Sequence, residues 1–255
     1  MLGHETWGNG GTKVIVLNDW LGDTSSWSAA RAYLDLERFT WHFVDLRGYG
    51  RSKTQAGAYD LEEAVDDVLA LADSLKLRPF VIVGHSMSTY VAMELAQHHA
   101  DRVSRAVLLT PGPPAGFGAD EAALAPIRAL ARGDDAVRLA WLEQRFGEQW
   151  SPGWARAKLR HWRASSSPEA VATYAALFVC RGLPDPAAPI TVPTLAVTGE
   201  RDVEVMRREA VQSLLAPICR ELTVAPIELS GHYPMQETPP LLVTLIERFL
   251  APPKA

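Results

Sequence analysis

Four short, largely apolar runs mark the first 110 positions, and each is followed by a glycine-rich or polar turn and a segment of helical period. Val14-Ile15-Val16-Leu17, Trp41-His42-Phe43-Val44-Asp45-Leu46, Phe80-Val81-Ile82-Val83 and Val103 to Thr110 have the length and β-branched content of buried parallel strands. A strand stub falls at Glu5-Thr6-Trp7, before a turn at Gly8-Asn9-Gly10-Gly11. The spacing predicts a helix over Ser25–Leu34, with Trp27 toward the sheet. A second starts at Asp60, with Glu63 set for a capping box and Leu61, Val65, Val68, Leu69, Ala72 and Leu75 recurring at helical spacing. A third follows Gly84-His85-Ser86-Met87-Ser88, with Met87, Val91 and Leu95 on one face. Strand and helix in alternation predict an α/β fold, a mostly parallel sheet with helices on both faces.

The rhythm breaks at Pro111. From Gly112 to Pro189 the pattern yields only helix-forming pieces, over Glu121–Arg132, Asp135–Gln149, Trp154–Ala164 and Pro168–Cys180. Strands resume with Thr194–Gly199 and Thr223–Leu229, alternating with helices over Val205–Leu215 and Glu237–Leu250. The expected organisation is a core of residues 1–111 and 190–255, interrupted by a helical insertion at 112–189.

A chain of 255 residues, 47% hydrophobic and 22% charged, fits one such α/β core with its insertion. Its net charge of −5 and scattered arginines leave no basic tract for nucleic acid. No basic segment leads into an apolar one near Met1, and no run approaches membrane-spanning length, so neither a signal peptide nor a membrane partner is expected. Cys180 and Cys219 match no metal-ligand spacing and cannot frame a disulfide scaffold. The expectation is a cytoplasmic protein, monomer or homodimer, acting on a small molecule.

One stretch carries chemistry. A strand, a Gly-bounded serine at Ser86 and a helix in direct succession make a nucleophile elbow, where the hydroxyl projects above the strand ends. A serine hydroxyl needs an adjacent base, and the base needs a carboxylate that fixes its tautomer. His232 follows the strand ending at Leu229, and Asp202 follows the strand ending at Gly199, so all three occupy loops beyond strand ends. The blander readings are Ser86 as a turn residue, His232 as a core histidine, and Asp202 as a helix N-cap beside Glu200.

Asp45-Leu46-Arg47-Gly48-Tyr49-Gly50-Arg51-Ser52 matches a D-x-R-G-x-G-x-S loop, and Gly84 to Ser88 matches the elbow. Gly199-Glu200-Arg201-Asp202 matches an acid loop, and Gly231 to Pro239 a histidine loop with a Glu-x-Pro signature. In these motifs, in this order, the chain resembles the α/β-hydrolase superfamily, near its small capped esterases, lactonases and C–C bond hydrolases. The resemblance implies an α/β-hydrolase fold with 112–189 as a helical cap. It also implies a cofactor-free, metal-free serine hydrolase cleaving a carboxylic ester or lactone of a small acyl or aromatic substrate. Ser86, His232 and Asp202 would form the triad, and the backbone N–H groups of Met87 and Trp20 the oxyanion hole. Two departures stand out. Asn18-Asp19 replaces the usual His-Gly, and a carboxylate there opposes catalysis unless it turns away or meets a cation. Ser88 replaces the last elbow glycine. Phe117, Trp141, Phe146, Trp150, Trp154, Trp162, Tyr174 and Phe178 are the candidate lining of an apolar cavity over Ser86, with the four tryptophans expected at the substrate; the alternative is a substrate carboxylate met by Arg128, Arg145, Arg156 or Arg160. A C–C bond hydrolase, a cofactor-independent dioxygenase and a non-catalytic receptor are the rival readings.

Overall fold

Three runs, Phe39–Asp45, Phe80–His85 and Thr194–Gly199, are buried along their whole length, so each must be covered on both faces and flanked by other strands. The computed structural model, which describes residues 1–146 and 149–251, provides that cover. Strands β1 (Gly3–Trp7), β2 (Thr12–Leu17), β3 (Phe39–Asp45), β4 (Phe80–His85), β5 (Val103–Leu109), β6 (Thr194–Gly199) and β7 (Leu222–Ile227) form one sheet. Its order is β1-β3-β2-β4-β5-β6-β7, with β1 antiparallel to β3 and the other pairs parallel.

The helices are α1 (Ser28–Arg31), α2 (Leu61–Ser74), α3 (Ser88–His98), α4 (Leu124–Arg132), α5 (Asp135–Phe146), α6 (Pro152–Ser165), α7 (Pro168–Ala176), α8 (Arg208–Leu215), α9 (Pro234–Glu237) and α10 (Pro239–Leu250). The chain steps from β2 outward to β3, then returns past β2 to β4 and continues the other way. Because parallel crossovers are right-handed, this reversal puts α1 on the face opposite α2 and α3, and α10 packs beside α1. It also opens a crevice at the carboxyl ends of β2 and β4, where open α/β sheets place their ligands.

Expected helices of the sheet-bearing parts of the chain differ from what forms. Instead of a helix over Ser25–Leu34, a 3-10 turn at Thr24–Trp27 leads into the single turn of α1. The serines account for this. Asp23 accepts from the Ser25 N–H, and the Ser28 hydroxyl donates to the Ser25 carbonyl, so side chains compete with the helical ladder. The segment expected over Val205–Leu215 divides into a 3-10 turn at Glu204–Met206 and α8. The last helix is broken at Thr238, because Pro239 and Pro240 lack N–H groups and bias Thr238 out of the helical region (φ −139°, ψ 53°).

Between β5 and β6 the described residues add helices but no sheet strand: α4 packs with α7 and α5 with α6, and α7 runs on into a π-helical turn at Leu177–Arg181. Positions 147 and 148 of the helix expected over Asp135–Gln149 lie outside the described residues. This segment is tied to the loops beyond the strand ends by hydrogen bonds. Ser167 N–H donates to the Gly48 carbonyl (2.7 Å), and Trp20 Nε1–H to the Val171 carbonyl (2.8 Å). Among the described residues no helix is long and apolar enough to cross a membrane.

Candidate active site

Ser86 stands at the turn from β4 into α3 with φ of +53°, a left-handed conformation that costs a non-glycine residue energy and is held by its surroundings. Its N–H donates to the Leu109 carbonyl (2.9 Å), and its carbonyl accepts from the Thr89 N–H (3.0 Å). Gly84 is required for this turn, since a Cβ there would meet the Ser88 carbonyl oxygen at 2.5 Å. The Ser88 side chain is buried and useful: its hydroxyl accepts from the His85 N–H at 2.9 Å, closing the elbow.

His232 lies beyond β7, and its Nε2 accepts from the Ser86 hydroxyl at 2.9 Å. Its Nδ1 donates to Asp202 Oδ2 at 2.5 Å, which fixes the tautomer with Nε2 free as acceptor. Asp202 Oδ1 accepts from the Val203 N–H (2.7 Å) and from Arg145 Nη2 (2.6 Å). Burial alone would raise the Asp202 pKa, but the charges and hydrogen bonds of His232 and Arg145 outweigh it and hold the carboxyl well below the usual range. Glu200 is elsewhere. It accepts from the Thr198 hydroxyl (2.7 Å) and from the Arg208 N–H at the start of α8 (3.1 Å).

Two residues brace the histidine loop. His85 Nε2 donates to the His232 carbonyl at 2.7 Å, and burial pushes this imidazole down to about 4, so it is neutral. Glu237, separated from α10 by the helix break at Thr238, accepts from the Ser230 hydroxyl (2.7 Å), the Tyr233 N–H (3.1 Å) and the Gly231 N–H. The Glu-x-Pro spacing was the signal for it, because a proline after the glutamate breaks the helix and frees the carboxylate to turn back.

On the opposite side of Ser86 the loop after β2 is built by Asn18. Its Nδ2 donates to the Asp19 carbonyl (2.7 Å) and the Gly22 carbonyl (3.1 Å), and its Oδ1 accepts from the Leu46 N–H (2.7 Å). Asp45 supports the same loop by accepting from Thr24 N–H and Oγ–H (2.9 and 2.8 Å). Met87 precedes α3, so its N–H is an unpaired helix-start donor; among the described residues neither it nor the Trp20 N–H reaches a protein acceptor. The Asp19 carboxylate meets a cation from α6: Lys158 Nζ is 3.4 Å from Oδ2, and both side chains are almost fully buried. Burial raises this carboxyl, yet the charge of Lys158 beside it brings it below its ordinary value.

A cavity of about 360 Å³ opens over Ser86, Met87, Trp20 and His232. Tyr90, Phe117, Trp141, Phe146, Phe178 and Met206 make its walls, so it is strongly apolar, and Arg145 reaches it beside Asp202. Of the four tryptophans expected at the substrate, the structure puts only Trp141 on this wall. Trp154 is separated from the cavity by Phe146 (5.2 Å between ring centres) and Tyr233, and with Trp150 it lines another hollow beside Glu143. Trp162 is buried behind Trp20 and Trp141 (6.4 and 6.5 Å). Tyr174 packs on Tyr49 and Tyr59. Helical period marks which face of a segment is apolar but not which apolar side chain reaches the void. Lys158 carried a readable sign, since it shares the buried stripe of α6 with Ala155, Leu159, Trp162 and Ser165. A lysine in an apolar stripe requires a buried partner.

The sheet order and the strained serine at the β4–α3 turn define the fold class as that of the α/β hydrolases. The chain belongs to the alpha/beta hydrolase family, whose model matches residues 14–245. It is similar to the AB hydrolase superfamily protein YisY of Bacillus subtilis (strain 168), 27% identical over 260 residues that cover 94% of this chain and 91% of that protein. Among solved structures it is similar to a thermophilic esterase from Thermogutta terrifontis, with TM-score 0.81, 25% identity and coverage of 98% and 92% of the two chains. It is also similar to the enol-lactonase from Burkholderia xenovorans LB400, with TM-score 0.79, 25% identity and coverage of 98% and 96%.

Proposed function

We propose that the protein hydrolyses carboxylic esters or lactones of small apolar acids through an acyl-enzyme on Ser86, with residues 112–189 as a cap over the site. The observation that carries this reading is the continuous hydrogen-bonded chain from Ser86 Oγ through His232 to Asp202, opening into an apolar cavity. His232 takes the hydroxyl proton as Ser86 attacks the carbonyl, and Asp202 stabilises the imidazolium. The N–H groups of Met87 and Trp20 hold the tetrahedral oxyanion. The imidazolium then protonates the leaving alcohol. Water, deprotonated by the same histidine, attacks the acyl-enzyme, and the imidazolium returns the proton to Ser86 Oγ as the acid leaves. The apolar walls favour an alkyl or aryl acyl group over a charged one. The esterase and enol-lactonase named among the similar structures support the same bond class.

The test is labelling by a fluorophosphonate together with turnover of p-nitrophenyl esters and an aryl lactone. Ser86 is expected to be the labelled residue, and Ser86→Ala to lose on the order of 10³-fold or more in kcat. Normal ester turnover in Ser86→Ala, or a wild-type protein that neither labels nor hydrolyses, overturns the reading.

A further inference from the structure

The Asp19 carboxylate sits one residue before Trp20, the proposed second oxyanion donor, where an uncompensated negative charge would repel the negative charge that develops in the transition state. Asp19 is 2% exposed and Lys158 3%, so water screens neither charge. Lys158 Nζ lies 3.4 Å from Asp19 Oδ2 and 3.6 Å from the centre of the Tyr233 ring, beside His232. The pair spans two parts of the chain: Asp19 belongs to the loop after β2, and Lys158 to α6 in the helical segment above it. Trp20 is held to the same segment by its indole N–H on the Val171 carbonyl.

We infer that Lys158 is a positioning residue for the oxyanion site, supplying from the helical segment the charge that neutralises Asp19 and so lets the Trp20 N–H receive a developing oxyanion. The inference rests on the hydrolytic reading above. It explains how a carboxylate can stand where the similar family motif has glycine. It also makes docking of α6 a condition for an effective oxyanion site, because the ammonium arrives with that helix. Breaking a buried pair by removing one partner costs more than removing both, so the two carboxylate states are separable by mutation.

The experiment compares Lys158→Met with the double variant Asp19→Asn/Lys158→Met. It follows p-nitrophenyl ester kinetics, the rate of fluorophosphonate labelling and the thermal midpoint of each protein. Lys158→Met is expected to lower kcat and the labelling rate about 100-fold, the scale of losing one oxyanion donor, with KM changed only a few-fold. The double variant should return kcat to within about 10-fold of wild type, since the opposing charge has gone with its counter-ion. A role in packing alone predicts no rescue: both variants equally impaired. That result, or unchanged kcat in Lys158→Met, overturns the inference. Should Lys158→Met fail to fold, the double variant alone decides, because an inactive but folded double variant contradicts charge neutralisation. A wild-type protein that neither labels nor turns over esters removes the hydrolytic reading and this inference together, whereas an active wild type with no rescue removes only the latter.

Discussion

Asp202 and Glu200 are two positions apart in one loop, yet they hold different partners. Asp202 faces His232 and Arg145, while Glu200 turns to the first turn of α8. Composition and spacing treat them alike; the turn after β6 separates them. Asp202→Asn is expected to lower ester kcat by about 10⁴-fold, because an amide presents a donor to Nδ1 and imposes the wrong tautomer. Glu200→Ala should leave kcat within a few-fold of wild type and cost about 1 kcal/mol of unfolding free energy in denaturant titration, the size of a lost helix cap. Equal kinetic losses in the two variants would assign the acid role to both. Arg145 illustrates the same limit. It is one of the four arginines offered for a substrate carboxylate, and its guanidinium is instead engaged by a carboxylate of the protein itself.

Elements with strong local signals formed where the pattern put them. The strand expected over Thr194–Gly199 is β6 residue for residue, and α2 begins after Asp60 as its side chain dictates, with Oδ1 accepting from the Glu63 N–H at 2.9 Å. The reciprocal half of the capping box is displaced by one position, for Glu63 accepts from the Tyr59 N–H (3.0 Å). Asp60→Ala is expected to destabilise the fold by about 1 kcal/mol, read as a lower denaturation midpoint, with ester turnover at 25 °C retained. Elements whose boundaries depend on competition were less legible. The serines around the start of α1 and the two prolines that open α10 shorten helices that apolar spacing alone extends.

For the whole molecule, two features link the sheet to stability and to the site. The reversal between β2 and β4 brings Trp20 and Ser86 to the same crevice, and β6 and β7 then deliver Asp202 and His232 beside it. Beneath the site, His85 is kept neutral by burial, at about 4 against 6.5 for the free side chain. Above pH 6.5 neither folded nor unfolded His85 carries a proton, and its contribution to stability is complete. As pH falls from 6.5 to 4 the unfolded chain binds a proton that the folded one refuses, and up to about 3 kcal/mol is lost. Denaturant titrations at pH 7 and pH 4.5 are therefore expected to show a smaller loss in His85→Gln than in the wild type. Burial also pushes His42 down to about 4, but it is present in both proteins and cancels in the comparison. An identical pH dependence in the two would contradict a buried neutral His85.

The strand–helix alternation, the elbow at Ser86 and the chain order of the acid and histidine loops are legible without coordinates, because periods of two and 3.6 and the glycine turn are local physics. Packing settles which of the tryptophans at 141, 150, 154 and 162 reaches the cavity and which cation meets each buried carboxylate, Lys158 at Asp19 and Arg145 at Asp202. Those contacts join positions far apart in the chain, and they are set by how one helix is rotated and docked on another element.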